Sequence, residues 1–219
     1  VKAGCFSSNK ENSLRTAEKW NIDKGRVYSS IEELVSKEKG RLDVVSILTP
    51  TPNHVKDFRD LITAGIPIIC EKPLASSVRD AKIMKEQLER NQGFAAVTFN
   101  YSGYPMMREL RERISCGELG EVINTQLEMP QEFFLKLDPI NRQLTKPKGW
   151  RLVDQNIPTI CLDLGVHLHH LGSFLTGLKI NSVNATMKNS MVHPEIIDDV
   201  MMWVKYDNGA SGGYWFSKS

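Results

Sequence analysis

Short apolar runs alternate with amphipathic stretches through the first hundred residues. Four of these runs have the unbroken apolar pattern of strands that are buried on both faces. They lie at residues 2–6, 44–48, 66–70 and 94–98. Between them, apolar residues recur at helical spacing, and Ser30 and Ser77 each begin a capping-box sequence. The connections are too long for hairpins, so the pattern predicts an α/β fold with a parallel sheet.

The pattern changes in the second half of the chain. Residues 122–129 move toward the two-residue alternation of a strand with one exposed face, and residues 199–206 are predicted to form another strand. Asn208-Gly209 then predicts a hairpin turn, because this pair accepts positive φ angles. Residues 130–148 are predicted to form a long loop.

This change of pattern predicts two domains. We expect a parallel α/β domain over residues 1–100 and an α+β domain with a largely antiparallel open sheet over residues 101–219. A chain of 219 residues is long enough for two modest cores.

Composition narrows the class of protein. The chain is 41% hydrophobic and 25% charged, with a net charge of +2 and no basic stripe, so neither nucleic acid nor a membrane is an expected partner. No apolar segment approaches the roughly 20 residues that span a bilayer. The four cysteines are scattered without a C-x-x-C pair, which indicates reduced thiols, no metal site and a cytoplasmic protein.

Polar residues follow each predicted strand of the first half. The strand ends present Ser7-Ser8-Asn9, Thr49-Pro50, Glu71-Lys72 and Asn100. Because the carboxyl ends of parallel strands share one edge of a sheet, these residues predict a ligand crevice there. Surface exposure alone would also make strand ends polar, so both interpretations stay open at this point.

A second candidate site lies in the stretch from Cys161 to Gly177, which we interpret as one helix. Asp163, His167 and His170 recur at helical spacing and form one stripe beside a row of leucines. An aspartate one turn from a histidine can orient the imidazole, which exchanges a proton near neutral pH. A solvated polar face is the plain alternative. Metal binding is another, since 167–170 reads H-x-H-H, but His169 points away from the stripe.

Several motifs in sequence order resemble one family. These are T-P-x-x-N-H at 49–54, A-G-I-P-I-I-C-E-K-P-L-A at 64–75, F-N-Y at 99–101, W-R at 150–151 and D-x-G-x-H at 163–167. Together they resemble the glucose–fructose oxidoreductase and inositol dehydrogenase (Gfo/Idh/MocA) family of nicotinamide-dependent enzymes. The resemblance covers nearly the whole chain, and it implies a Rossmann-type sheet followed by an α+β substrate and oligomerisation domain.

The resemblance also implies roles for individual residues. The catalytic set would be Lys72, Asp163 and His167. The residues implied to contact the cofactor are Ser7, Ser8, Asn9, Thr49, Pro50, Asn53, His54, Glu71, Lys72 and Asn100. Those implied to contact the substrate are Tyr101, Trp150, Arg151 and His170. The implied reaction transfers a hydride between NAD(P) and a secondary alcohol of a sugar, cyclitol or related polyol, in a homo-oligomer.

Three departures from the family pattern matter. No G-x-G-x-x-G turn occurs, and the first residues look like the second strand of the fold, so we expect an incomplete sheet that lacks its phosphate-binding turn. Ile157 to Ile160 replace a glycine cluster of the substrate pocket. No acidic residue stands at Ser7-Ser8-Asn9 and Lys10 is close, which favours NADP slightly over NAD. Two alternative functions are a nucleotide-binding regulatory protein of the same fold and an inactive fragment.

Overall fold

The chain forms two compact units, which are Val1–Thr98 (unit 1) and Phe99–Ser219 (unit 2). The computed structural model describes residues 1–145, 147, 149–189 and 192–219, and of Trp150 it describes the backbone alone. Among the helices of this described part, none combines the length and the apolarity that a membrane crossing requires.

Unit 1 is a three-stranded parallel sheet with helical crossovers. Its strands are β1 (Val45–Ile47), β2 (Ile68–Glu71) and β3 (Ala95–Thr98), in the order β1-β2-β3. Val45 pairs with Ile68, and Ile68 pairs with Ala95. The helices are α1 (Lys10–Lys19), α2 (Ile31–Glu38), α3 (His54–Thr63) and α4 (Val78–Arg90). The predicted parallel α/β arrangement is therefore confirmed.

Local sequence accounts for the starts of α2 and α4. The Ser30 hydroxyl accepts a hydrogen bond from the amide of Glu33 at 3.1 Å, and the Ser77 hydroxyl accepts one from Asp80 at 3.1 Å. These N-caps satisfy donors that the first helical turn leaves open. Beyond the caps, burial of apolar side chains holds the helices on the sheet. The core includes Ile47, Phe58, Leu61, Ile62, Ile68 and Met84.

The prediction of a strand at residues 2–6 was wrong. Among these residues, Gly4 alone forms a β-bridge, which is an isolated parallel bridge to Val27. The amide of Gly4 donates to Arg26 at 3.2 Å, and the amide of Tyr28 donates to Gly4 at 3.0 Å. A strand needs a neighbouring strand to continue its ladder, and the three-stranded sheet of unit 1 does not include this segment.

Unit 2 contains a four-stranded mixed sheet. Its strands are β4 (Asn124–Pro130), β5 (Ile180–Lys188), β6 (Asp199–Tyr206) and β7 (Ser211–Ser217), in the order β4-β7-β6-β5. β5 with β6 and β6 with β7 are antiparallel, as predicted, whereas β4 with β7 is parallel. Gly209 has a φ of 88°, which confirms the predicted hairpin turn between β6 and β7.

Helices cover one face of this sheet. After α5 (Pro105–Ser115), the stretch predicted as one helix from Cys161 to Gly177 is instead a π-helical turn, Cys161–Gly165, followed by α6 (Val166–Thr176). Leu164 and Leu168 pack with Tyr214 and Phe216 in the core of unit 2. A π turn adds a residue to the helical period, and such turns often occur at functional sites.

Candidate active site

The exits of β1 and β2 place two predicted site residues at one edge of unit 1. Thr49 lies just beyond β1, and Lys72 follows β2, its parallel neighbour. Lys72 is half-buried. The carboxylate of Glu71 accepts a hydrogen bond from the Thr98 hydroxyl at 2.8 Å, which ties the end of β2 to the end of β3.

His54 lies beneath this edge, in the first turn of α3. Its side chain is buried, with 1% of the residue exposed. Ring nitrogen Nε2 lies 2.8 Å from the carbonyl oxygen of Thr49, and Nδ1 lies 3.0 Å from that of Pro73. The sequence predicts a cofactor contact for His54, whereas its ring nitrogens face carbonyls of the protein itself.

The other cofactor positions predicted in unit 1 lie nearer the surface. Asn9 is exposed and caps α1, its side-chain oxygen accepting from the amide of Asn12 at 3.0 Å. Ser7 accepts from the amide of Asn9 at 3.1 Å, while Ser8 is exposed. Pro50 and Asn53 are also exposed, within and beside a short 3₁₀ turn.

In unit 2, two cations hold the carboxylate of Asp163. Arg151 Nη1 donates to Asp163 Oδ2 at 2.5 Å, and Lys218 Nζ donates to the same oxygen at 2.6 Å. Lys218 is 1% exposed, and its ammonium lies 5.4 Å from the centre of the Phe134 ring and 5.5 Å from that of Phe133. Charge-assisted hydrogen bonds of this kind are short and fix the carboxylate in orientation.

Sequence reasoning missed Lys218 entirely. It lies 55 residues from Asp163 along the chain and directly follows β7. No local motif marks it, and a terminal Lys-Ser pair reads as solvated surface. Only the packing of β7 in the sheet brings it beneath the π-helical turn.

His167 lies one turn further along, at the start of α6. Its residue is 7% exposed, and aromatic rings surround it edge-on: Tyr101 at 4.8 Å and Phe99 at 6.2 Å between ring centres. His170 stacks on Phe99, with ring centres 4.0 Å apart and planes 5° apart. Burial, with a smaller contribution from His169, lowers the pKa of His170, which favours its neutral form.

Unit 2 thus brings together five of the predicted residues and leaves others apart. Tyr101, His167 and His170 share the aromatic cluster, and Arg151 joins Asp163. Asn100 is exposed on the 3₁₀ turn Asn100–Gly103. The Trp150 side chain lies outside the described part of the chain. Within that part, no group of three or more His, Cys, Asp or Glu residues is arranged to hold a metal ion.

The chemistry available in unit 2 is proton transfer beside a fixed carboxylate. Histidine is the side chain that serves most often as a general acid or base, and His167 is buried, with 7% of the residue exposed. Asp163 sits in the adjoining turn with its charge compensated by Arg151 and Lys218. A general base with an adjoining anionic anchor suits the removal of a hydroxyl proton.

Known families match both units. The family described as "Oxidoreductase family, NAD-binding Rossmann fold" matches residues 2–99. The family described as "GFO/IDH/MocA C-terminal domain" matches residues 107–219. The two matches together cover nearly the whole chain.

Curated relatives are longer than this chain. The uncharacterized oxidoreductase YfiI of Bacillus subtilis (strain 168) is 26% identical over 225 residues, covering 99% of this chain and 56% of the relative. The scyllo-inositol 2-dehydrogenase (NAD(+)) of the same organism is 25% identical over 205 residues, covering 89% of this chain and 52% of the relative. The chain therefore spans about half the length of these relatives.

A solved structure supports the same fold. The crystal structure of an inositol dehydrogenase homolog complexed with NAD+ from Azotobacter vinelandii matches with a TM-score of 0.88 and 25% sequence identity. The match covers 100% of this chain and 57% of that structure's chain. Both units therefore have counterparts in a known dinucleotide-binding protein.

Proposed function

Because this chain belongs to the GFO/IDH/MocA oxidoreductase family, we propose that it oxidises a secondary alcohol of a sugar or cyclitol with NAD or NADP as hydride acceptor. The observation that carries the proposal is that one helical segment holds both a buried histidine and a carboxylate bonded by two cations. A relative named as an inositol dehydrogenase supports the substrate class.

His167 is assigned as the general base. Its Nδ1 is buried, so Nε2 is the ring nitrogen assigned to accept the hydroxyl proton of the substrate. As the O–H bond breaks, its electron pair forms the carbonyl π bond, and the hydrogen on that carbon departs with the C–H electron pair as the hydride that NAD or NADP would accept. The residue then holds one extra proton, which solvent removes before the next turnover.

We propose that Asp163 orients His167, which lies one turn further along the same helical segment. Arg151 and Lys218 keep the carboxylate oriented, since each donates to the same oxygen. A charge that is already in place when the transition state forms needs no reorganisation during the reaction. We assign Arg151, Tyr101 and His170 to contact with the substrate, and Trp150 remains a prediction from the W-R motif.

Lys72 is assigned to bind the substrate oxygen that becomes the carbonyl oxygen. Its amine donates a hydrogen bond to that oxygen and stabilises the negative charge that develops there. The half-buried position at the exit of a central parallel strand is typical of ligand-binding residues in open α/β sheets.

The residues of unit 1 fit a dinucleotide. The parallel sheet presents polar groups at adjacent strand exits, among them Thr49 and Lys72, and hydroxyl and amine groups suit ribose and amide oxygens. When bound, the nicotinamide ring supplies the carbon that accepts the hydride. No glycine-rich turn occurs in these residues, so no residue is assigned to the pyrophosphate. We propose a slight preference for NADP. Asn9 carries an amide and Lys10 an ammonium that suit a 2′-phosphate, and residues 7–10 include no acidic side chain that would repel it.

Two further features belong to the proposal. We propose that the protein is a homo-oligomer that associates through the sheet face of unit 2 opposite α6. A cytoplasmic location stays a prediction, based on the pattern of free cysteines.

The experiment measures the formation of reduced nicotinamide by wild type, His167→Ala and Lys72→Met, with NAD+ and with NADP+, on a panel of inositols and aldose sugars. We expect kcat to fall about a hundredfold in each variant, because each loses a group that acts in the transition state. Turnover with NADP+ is expected to exceed turnover with NAD+.

Matched controls are available nearby. His169→Ala removes the exposed histidine of the same helix, and Lys82→Met removes an exposed lysine of unit 1, so both are expected to keep wild-type turnover within about twofold. A loss smaller than tenfold in both test variants would contradict the assigned roles. Saturable binding of NADPH with no turnover on the whole panel would instead favour a regulatory protein.

A further inference from the structure

One buried ring connects the backbone segments that follow β1 and β2. His54 Nε2 faces the carbonyl of Thr49 at 2.8 Å, while Nδ1 faces the carbonyls of Pro73 at 3.0 Å and Leu74 at 3.2 Å. Thr49 follows β1, and Pro73 and Leu74 follow β2. The imidazole therefore spans two strand exits that the sheet ladder no longer pairs.

A second contact from the same helix reinforces the first. Asp57 lies one turn after His54 in α3, and its Oδ2 accepts a hydrogen bond from the Thr49 hydroxyl at 2.7 Å. Both side chains are buried, with 1% of His54 and 6% of Asp57 exposed. We call this group the strand-exit brace, meaning His54 and Asp57 with Thr49 and the backbone of Pro73-Leu74. The start of α3 thereby holds Thr49 by both its backbone and its side chain.

The imidazole contacts both strand exits from one rigid ring, because its two nitrogens point in different directions. Carbonyl oxygens only accept hydrogen bonds, so the ring donates to both exits when both nitrogens carry a hydrogen and to one exit otherwise. A glutamine amide carries both of its hydrogens on one nitrogen, so it donates to one exit only. Burial raises the pKa of the Cys70 thiol, 3.5 Å from Nδ1, to about 12, so this neighbour stays uncharged.

The strand-exit brace lies next to Lys72, the residue assigned to bind the reacting oxygen of the substrate. Pro73 is the residue immediately after Lys72, so the carbonyl that His54 meets is one peptide away from the Lys72 backbone. A long, flexible lysine side chain is placed only as well as its backbone is placed. A displacement of about 1 Å in a positioning element can cost up to a hundredfold in rate.

We propose that His54 is a positioning residue, which fixes the backbone that carries Lys72 by tying it to the exit of β1. This proposal rests on the proposed function only for the role of Lys72. The connection between the strand exits is a property of unit 1, and it can be measured without turnover.

The first test follows hydrogen–deuterium exchange in wild type and His54→Gln. We expect amides in residues 71–76 and 47–51 of the variant to exchange at least about tenfold faster than in wild type. In wild type, residues 71–76 are expected to exchange more slowly than the exposed turn at residues 39–43. That comparison needs no variant, so a His54→Gln protein that fails to fold still leaves the proposal testable.

The second test follows kinetics of the same variant. We expect kcat to fall roughly tenfold to a hundredfold, with the dissociation constant of the nicotinamide cofactor within about threefold of wild type. Here kcat is expressed per mole of cofactor-binding sites, because a variant that merely loses stability keeps the wild-type kcat in its folded fraction.

Ser30→Ala is the matched control, because it removes an N-cap of unit 1 that touches neither strand exit. It is expected to speed exchange in α2 and to leave both kcat and the exchange of residues 71–76 unchanged. Unchanged exchange at 71–76 in His54→Gln, or fast exchange there in wild type, would overturn the proposal. Absence of turnover in wild type would contradict the proposed function and leave the exchange result to decide on the brace.

Discussion

At the scale of single residues, Glu38 shows how a buried charge is stabilised in unit 1. Its side chain is 0% exposed, and its carboxylate accepts from Arg26 through two nitrogens at 2.7 Å each and from the Tyr28 hydroxyl at 2.6 Å. The hydrogen bond from Arg26 is the main cause, and that from Tyr28 the second, of a Glu38 pKa lowered to about 2. Both oxygens of this buried carboxylate therefore accept charge-assisted hydrogen bonds.

We predict that Glu38→Gln lowers the free energy of unfolding at neutral pH by about 1–3 kcal/mol, because Arg26 and Tyr28 lose a charged acceptor. The folded pKa lies below the ordinary value of 4.5, so the stabilisation is fully present above that value and is lost as the pH falls toward about 2. Urea denaturation of both proteins across this range measures the difference. Glu18→Gln, at an exposed site, is the control, and a difference that stays constant with pH would contradict the prediction.

At the scale of elements, a single glycine sets the distance between α6 and β7. A Cβ at Gly172 would clash with the hydroxyl oxygen of Tyr214. That hydroxyl forms a hydrogen bond with the Tyr206 hydroxyl at 2.9 Å. Glycine is otherwise unfavourable within a helix, by about 1 kcal/mol relative to alanine. Close packing of helix on sheet outweighs helix propensity at this position.

We predict that Gly172→Ala destabilises the protein by about 1–3 kcal/mol, since the overpacking cost exceeds the gain in helix propensity. Tyr214→Phe removes the hydroxyl that the new methyl group would meet. In the Gly172→Ala/Tyr214→Phe double variant, the loss is therefore expected to be smaller than the sum of the two single losses. A double-mutant cycle of thermal or urea denaturation measures this coupling, and simple additivity would count against the contact.

At the scale of the whole molecule, the sheet of unit 2 packs one face under α6 and directs other side chains to the opposite face. Val200 and Val204 of β6 belong to the core, so the alternate residues Met201 and Trp203 point to the opposite face. Trp203 is 62% exposed, and Trp215 of β7 lies on the same face, paired with Met201. An exposed aromatic surface of this kind is typical of interaction sites.

We predict that Trp203→Glu weakens self-association at least about tenfold, because a charge replaces an aromatic anchor at the centre of the proposed contact. Sedimentation velocity over a range of concentrations measures the association. Trp20→Glu is the matched control, since Trp20 is 51% exposed in unit 1, and it is expected to leave the association unchanged. Identical sedimentation of Trp203→Glu and wild type would reject this face as the interface.

Much of the fold could be predicted because its signals are local. The caps at Ser30 and Ser77 and the turn at Asn208-Gly209 depend on residues three or fewer positions away, and all three are confirmed. The alternation of strands and helices follows from periodicity, which is also a local property. The strand at residues 2–6 was wrong because a strand depends on a partner, and apolar character alone does not supply one.

The candidate site also has a part that local sequence predicts and a part that depends on tertiary structure. The sequence by itself determined which residues could carry the chemistry, because Lys72, Asp163 and His167 stand in recognisable motifs at a strand exit and in a helix. Their roles remain proposals that the experiments above address. Only the tertiary structure decided what surrounds them: Lys218 beneath Asp163, aromatic rings around His167, and the ring of His54 between two strand exits. The physical reason is distance along the chain, since contacts between residues far apart in sequence depend on sheet order and packing, and no local pattern records either.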